Sequence, residues 1–273
     1  MRTAGKKVFL KELDVAAIRD DYKGTGKLAG GVAVITGGDS GIGRSVAVHF
    51  AREGADVAIV YLKSDGDAKA TKAMVEQEGR ECLLYKGDVS SEAFCKGVVC
   101  KTYKHFGRIT VLVNNAGRHE DDDDIKGITR KQLIRTFEVN IFPFFYLSRA
   151  AVEVMEAGSA MINTASVTAY RGSEHLMDYA ASKGAIVSFT QSLATNLAEK
   201  NIRVNAVAPG PIWTPLVIEA FDAAHLKKFG KDTPMGRAGY PYEVAPAYVY
   251  LACADAAYVT GQTIHVNGGE PVA

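Results

Sequence analysis

The stretch Tyr179-Ala180-Ala181-Ser182-Lys183 sets a phenol and an ammonium four residues apart, and Ser166 lies thirteen residues upstream of the tyrosine. On a helix, a spacing of four puts both groups on one face. A free phenol titrates at about 10, which makes it a poor acid–base group at neutral pH. A nearby ammonium favours phenolate and lowers that value, each unit being worth about 1.36 kcal/mol. A serine hydroxyl at a strand end can donate to a substrate oxygen and hold it against the phenol. The chemistry open to this set is proton transfer at an oxygen, with Tyr179 as the acid–base group. A Tyr-x-x-x-Lys pair by itself is usually a solvated helix face, so its weight comes from its company.

That company begins at Thr36-Gly37-Gly38-Asp39-Ser40-Gly41-Ile42-Gly43-Arg44, which follows a strand candidate and opens a helical pattern. Glycines at 37, 41 and 43 allow a tight turn and let backbone N–H groups approach an anion. The helix N-terminus adds its positive dipole end. The spacing is Gly-x-x-x-Gly-x-Gly, not the common Gly-x-Gly-x-x-Gly, but the strand–turn–helix context suits a pyrophosphate cradle. Asn114-Asn115-Ala116-Gly117 closes the fourth strand candidate, at the carboxyl edge where open α/β sheets bind ligands. Asp88, followed by Val89, sits at a similar edge. It could accept from an adenine amino group or stand as a helix N-terminal carboxylate.

Positioning these groups falls to short apolar runs at 32–36, 57–61, 82–86, 110–114, 160–165, 202–207 and 263–266. Between them, apolar residues recur at helical spacing over 41–53, 67–78, 90–106, 130–155 and 178–199. Near-continuous apolar strands suit a parallel sheet covered on both faces. The alternation predicts an α/β chain: a single doubly wound Rossmann-type domain with a mainly parallel seven-stranded sheet. Two stretches break the rhythm. Residues 1–27 read as a polar N-terminal arm before a catalytic domain at 28–273, and 211–238 read as a lid over the substrate.

Residues 36–43, Asp88, residues 114–117, Asn140, Ser166, Tyr179, Lys183 and Pro209-Gly210 together resemble the short-chain dehydrogenase/reductase family, over about residues 30–270. Tyr22-Lys23-Gly24, Gly38-Asp39-Ser40 and Gly261-Gln262-Thr263 are similar to its subgroup labelled glucose/ribitol dehydrogenase-like. The resemblance implies that Tyr179 is the general acid/base and that Ser166 orients substrate. It implies that Lys183 binds the nicotinamide ribose and lowers the tyrosine pKa, that Asn140 holds a water of a proton relay, and that Pro209, Gly210 and Ile212 border the nicotinamide. It also implies a homotetramer, through the helices at 130–155 and 178–199 and the C-terminal segment.

The cofactor wall implied is Gly37, Asp39, Ser40, Gly41, Ile42, Gly43, Arg44, Tyr61, Leu62, Lys63, Asp88, Val89, Asn115, Ala116, Gly117, Tyr179, Lys183, Pro209, Gly210 and Ile212. An acid at the end of the second strand would hold the ribose diol of NAD, and here that position is Tyr61. Without a carboxylate there is no repulsion against a 2′-phosphate. Arg44, Lys63 and Ser64 could supply charge and hydrogen bonds, so NADP(H) is expected ahead of NAD(H).

The remaining features set limits. In 273 residues, 32 basic against 31 acidic side chains leave a net charge of +1. That is no field for a nucleic-acid backbone or an anionic membrane, and a small-molecule alcohol or ketone is the expected partner. The charge-studded start without an apolar core leads to a cytoplasmic expectation. Four cysteines without a Cys-x-x-Cys pair suggest no disulfide framework, and six histidines show no metal spacing. The run Asp121, Asp122, Asp123, Asp124 reads as a solvated loop ahead of a cation site.

In the lid, Trp213, Leu216, Val217, Phe221 and Phe229 read equally as packing or as pocket wall. Leu216, Val217, Ala220, Phe221 and Ala224 would share one helical face in want of an apolar partner. From that face comes the expectation of a bulky apolar alcohol such as a hydroxysteroid. A sugar, polyol or small carbonyl is the alternative, and a non-catalytic dinucleotide sensor is the reading from another class.

Overall fold

The computed structural model describes Phe9 and residues 16–271. Its seven strands are β1 (Val32–Thr36), β2 (Asp56–Tyr61), β3 (Cys82–Lys86), β4 (Val111–Asn114), β5 (Ala160–Thr164), β6 (Arg203–Pro209) and β7 (Thr263–Val266). They form one sheet in the order β3-β2-β1-β4-β5-β6-β7, and every neighbouring pair is parallel. The helices among them are α1 (Gly41–Arg52), α2 (Asp65–Gln77), α3 (Glu92–Phe106), α4 (Arg130–Asn140), α5 (Phe142–Val152), α6 (Thr168–Arg171), α7 (Met177–Leu197), α8 (Pro215–Ala220), α9 (Ala223–Lys228) and α10 (Pro241–Ala252).

Side chains alternate across the sheet into two cores. Ala33, Ile35, Val57 and Ile59 join Val46 and Phe50 of α1 and Tyr248 of α10 on one side. On the other, Val34, Ala58, Val60 and Leu112 meet Val98 and Val99 of α3 and Leu147 of α5. With both faces covered, each central strand is buried at every position and reads as one apolar run.

The pattern over 130–155 predicts one long helix, and the chain forms two. Ile141 stands between α4 and α5 at φ −125°, ψ −53°. Pro143 has no N–H for the carbonyl four residues back, and its ring crowds that carbonyl, so the rod breaks there. The Phe144 N–H turns instead to the Ile141 carbonyl, at 3.0 Å.

The lid departs from expectation too. Its helical part is split into α8 and α9, because Asp222 caps α9 by accepting from the His225 N–H at 2.8 Å. The residues it buries are Ile218, Phe221 and Leu226, which close on Leu176. Val217, Ala220 and Phe221 of the predicted face pack into this cluster, while Leu216 of that face is left 36% exposed.

The described part of the arm is strapped to α1. The buried Glu53 carboxylate accepts from the Tyr22 hydroxyl at 2.6 Å and from the N–H groups of Thr25 and Lys27 at 2.9 and 3.1 Å. Desolvation alone would raise its pKa, but these hydrogen bonds outweigh it and hold the carboxyl below the usual glutamate range.

Candidate active site

The order of strands reverses between β1 and β4, which opens a crevice at their carboxyl ends. Thr36 ties its two edges: its hydroxyl oxygen accepts from the N–H groups of Asn115 and Ala116, at 2.8 and 2.9 Å. Gly37 has φ +64°, a conformation that favours glycine. At Gly43 a Cβ would stand 2.0 Å from the Gly37 carbonyl oxygen, so the turn closes onto α1 only with glycine there. Ser40 N-caps α1 without a side-chain cap bond, so no hydroxyl of the cap occupies the first-turn N–H groups.

A cavity of about 810 Å³ runs along this crevice. At one end it is lined by Tyr61, Leu62, Lys63, Asp88 and Val89. Its middle is lined by Gly37, Asp39, Ser40, Gly41, Ile42, Asn115, Ala116 and Gly117. Ser166, Tyr179, Lys183, Pro209, Gly210 and Ile212 line the other end. Of the catalytic and cofactor-wall residues expected from the sequence, Gly43, Arg44 and Asn140 do not line it.

Each of those three is engaged elsewhere. Gly43 packs under the turn. The Arg44 guanidinium donates to the Asp39 carbonyl at 2.6 Å and to the Thr71 hydroxyl at 3.0 Å, and it pairs with Asp67 at 3.1 Å. Lys63, by contrast, is exposed at the cavity with no ion pair among the described residues. The Asn140 amide donates to the Arg118 carbonyl (2.9 Å) and the Ser182 hydroxyl (3.0 Å), while its oxygen accepts from the Arg118 N–H (2.8 Å). One amide hydrogen and the amide oxygen therefore fix the loop after Gly117, and the other hydrogen ties α4 to α7.

Asp88 has the second of its two anticipated characters, that of a carboxylate at the start of a helix, and it lines the cavity. One oxygen accepts from the Ser90 N–H at 2.9 Å in the turn before α3, and the other pairs with Arg135 of α4 at 2.6 Å. Burial pushes the Asp39 carboxyl up. The Tyr61 hydroxyl donates to Asp65 at 2.9 Å.

At the far end, Ser166 directly follows β5, and its hydroxyl oxygen accepts from the N–H and hydroxyl of Thr168, at 3.2 and 3.0 Å. Tyr179 and Lys183 share one face of α7. Lys183 is 2% exposed, donates to the Thr164 carbonyl at 2.7 Å, and lies 5.4 Å from the Tyr179 ring centroid. Burial pulls its ammonium down to about 7. Burial also pushes the Tyr179 phenol up to about 12, against the opposing pull of a hydrogen bond with Ser166. A phenol lowered by Lys183 is therefore not what the structure holds: desolvation of the phenolate is the larger effect, and the lysine is itself close to losing its charge.

Sequence reading missed His119, two residues past Gly117. Its ring stands edge-on to Tyr179 (5.4 Å between centroids), stacks on Phe221 of the lid (5.5 Å), and lines the cavity. The signal for it was position alone, directly after the Asn-Asn-Ala-Gly turn. Trp213 is not a wall of the cavity; it packs on Phe229 at 5.0 Å and on Phe9 at 6.1 Å. His175 approaches Asp123 at 3.1 Å, which ties the acidic loop to the cavity rim, and no metal-binding cluster of side chains occurs among the described residues.

Crevice, cradle and hydroxyl-bearing end together describe an oxidoreductase that binds a dinucleotide, and comparison with known proteins agrees. A family model described as Enoyl-(Acyl carrier protein) reductase matches residues 37–270, and the chain belongs to the short-chain dehydrogenase/reductase family. NADPH-dependent aldehyde reductase 1, chloroplastic, of Arabidopsis thaliana is 49% identical over 259 residues, covering 92% of this chain and 90% of that protein. Glucose and ribitol dehydrogenase of Daucus carota is 47% identical over 254 residues, covering 91% and 87%. Among solved structures, a short chain dehydrogenase from Burkholderia cenocepacia J2315 in complex with NADP has a TM-score of 0.84 at 31% identity, covering 89% of this chain and 98% of that one.

Proposed function

We propose that the protein is an NADP(H)-dependent reductase of small polar aldehydes or ketones, with Tyr179 as proton donor. One observation carries this reading: Ser166, Tyr179 and Lys183 converge at one end of a cavity whose middle is an uncapped helix N-terminus behind a glycine turn. The cavity volume and the close approach at Gly43 fit a dinucleotide lying along the crevice. When bound, the cofactor supplies the hydride.

The chain's own part is to orient and to move a proton. Ser166 holds the carbonyl oxygen, Tyr179 donates to it, and Lys183 anchors the nicotinamide ribose. Burial keeps Tyr179 protonated, so the proton to be delivered is in place, and the Ser166 hydrogen bond, which favours the phenolate left behind, makes the phenol a better donor. Asn140 acts as a positioning residue through Arg118.

Preference for NADP(H) rests on Tyr61 where an acid would select NAD, and on Lys63, whose charge is not spent on an ion pair among the described residues; the two NADP(H)-named proteins above support it. Arg44 serves the turn instead. A hydroxysteroid has no such support. The expectation rested on an apolar lid face in want of a partner, and Ile218, Phe221 and Leu226 already find theirs in Leu176. The substrate end of the cavity is rimmed by Arg171, Glu174, His175 and Lys228, which favours a polar substrate, as do the aldehyde reductase and the polyol dehydrogenase among the relatives.

For assembly we infer a homotetramer. Leu133, Phe142 and Phe145 on α4 and α5 are 40–52% exposed, and Phe145 meets Phe189 of α7 at 4.4 Å, an apolar surface of the kind symmetric association covers.

The test is steady-state reduction of short aldehydes with each cofactor. NADPH is expected to give the larger kcat/KM, and Tyr61→Asp to move the preference toward NADH by setting a carboxylate beside the ribose. A wild-type kcat/KM for NADH equal to or above that for NADPH contradicts the cofactor assignment.

A further inference from the structure

His119 is a polar group the mechanism above does not use. It belongs to a row of rings that leads from the reacting end to the lid: Tyr179, His119, Phe221 and His225, with the last pair stacked at 4.1 Å. Its position is enforced from behind. The Arg118 main chain is clamped on both sides by Asn140, and the Arg118 side chain reaches Thr136 at 3.2 Å and Glu120 at 2.7 Å. The imidazole is thus set rigidly, yet its Nδ1 is buried with no hydrogen-bond partner among the described residues. A neutral imidazole offers one donor and one acceptor, and leaving either sealed and unmet is a cost that native folds seldom carry without a reason. Burial, with the nearby charges of Lys183 and Arg118, lowers its pKa to about 4, so the ring is neutral at physiological pH. Nδ1 is closed in beside the rings of Tyr179 and Phe221, and Nε2, on a ring that lines the cavity and without a hydrogen bond among the described residues, is the nitrogen a substrate hydroxyl can reach.

We propose that His119 reads a hydroxyl on the carbon next to the reacting carbonyl, which makes it the specificity-determining residue for 2-hydroxy aldehydes and ketones, the open-chain sugar class. The proposal rests on the carbonyl-reductase reading above and narrows its substrate. A carbonyl oxygen held by Ser166 and Tyr179 places the neighbouring carbon beside the ring that packs against the Tyr179 edge. A site built to hydrogen-bond a hydroxyl discriminates strongly against the analogue that lacks it.

The experiment compares lactaldehyde with propanal, which differ by that one hydroxyl, in wild type, His119→Phe and His119→Gln, all with NADPH. Wild type is expected to favour lactaldehyde by about tenfold in kcat/KM, the effect of one hydrogen bond. His119→Phe keeps the ring and its stacking but brings the ratio close to one, chiefly through a higher KM for lactaldehyde. His119→Gln, which keeps a donor and an acceptor, recovers part of it. Should His119→Phe fail to fold, His119→Leu carries the same test. An unchanged ratio in the apolar variant overturns the proposal. So does an equal fall in kcat for both aldehydes, which would make the ring a support for Tyr179. If wild type reduces neither aldehyde, nor any other in the assay with NADPH, the carbonyl-reductase reading itself falls and takes this inference with it.

Discussion

Lys183 shows how burial sets the charge of a site. Its ammonium has the Thr164 carbonyl for a partner but no ion pair among the described residues, so desolvation draws its pKa from 10.5 to about 7. The folded value lies below the unfolded one. Between about pH 7 and 10.5 the unfolded chain therefore binds more protons, and stability rises with pH through that window. Lys183→Met lacks this contribution. In cofactor-free protein, the variant should be the more stable of the two near pH 7. Its advantage should shrink toward pH 10 by at most about 1.36 kcal/mol per pH unit, the slope of one titrating proton. Denaturant melts at several pH values measure this, and a gap that does not change with pH would refute the buried, weakly basic lysine.

Elements decide which of these residues meet. Gly43 is the joint between β1 and α1, because a Cβ there would lie 2.0 Å from the Gly37 carbonyl oxygen. Gly43→Ala should force the turn apart, weakening NADPH binding at least tenfold in a fluorescence titration and lowering the melting temperature. Undiminished affinity would show that the cradle does not depend on this approach. The turn was legible in sequence because its requirement is local: glycine, at fixed spacing, between a strand and a helix. The strands were legible for a similar reason, since burial on both faces leaves a continuous apolar run. The break at Ile141 was local as well, with Pro143 present to mark it, yet the apolar periodicity on either side hid it. What sequence did not reveal depends on distant contacts. The clamp of Asn140 on Arg118 and the seat of His119 join the β4 loop to α4 and α7, and Arg44 turned to Asp67 instead of the cleft.

At the scale of the molecule, one parallel sheet brings a cradle after β1, a loop after β4 and hydroxyls after β5 to a common edge. The segment at 211–238, expected from the sequence to be a lid, packs its apolar residues among themselves and on Leu176, which is why they say little about the substrate. The exposed aromatic surface of α4 and α5 is the whole-molecule feature that asks for a partner. Sedimentation at micromolar concentration should find a species of four times 29.2 kDa, and a stable monomer would refute the tetramer.

The central claim is that Tyr179 delivers the proton in a carbonyl reduction driven by NADPH, and Tyr179→Phe tests it most directly. The substitution removes one oxygen and keeps the ring that packs against His119. With an aldehyde that wild type reduces, single-turnover rates at saturating NADPH should fall by about 10²–10⁴-fold, the usual worth of a positioned acid, while NADPH still binds. A variant that reduces the aldehyde at the wild-type rate would contradict the account.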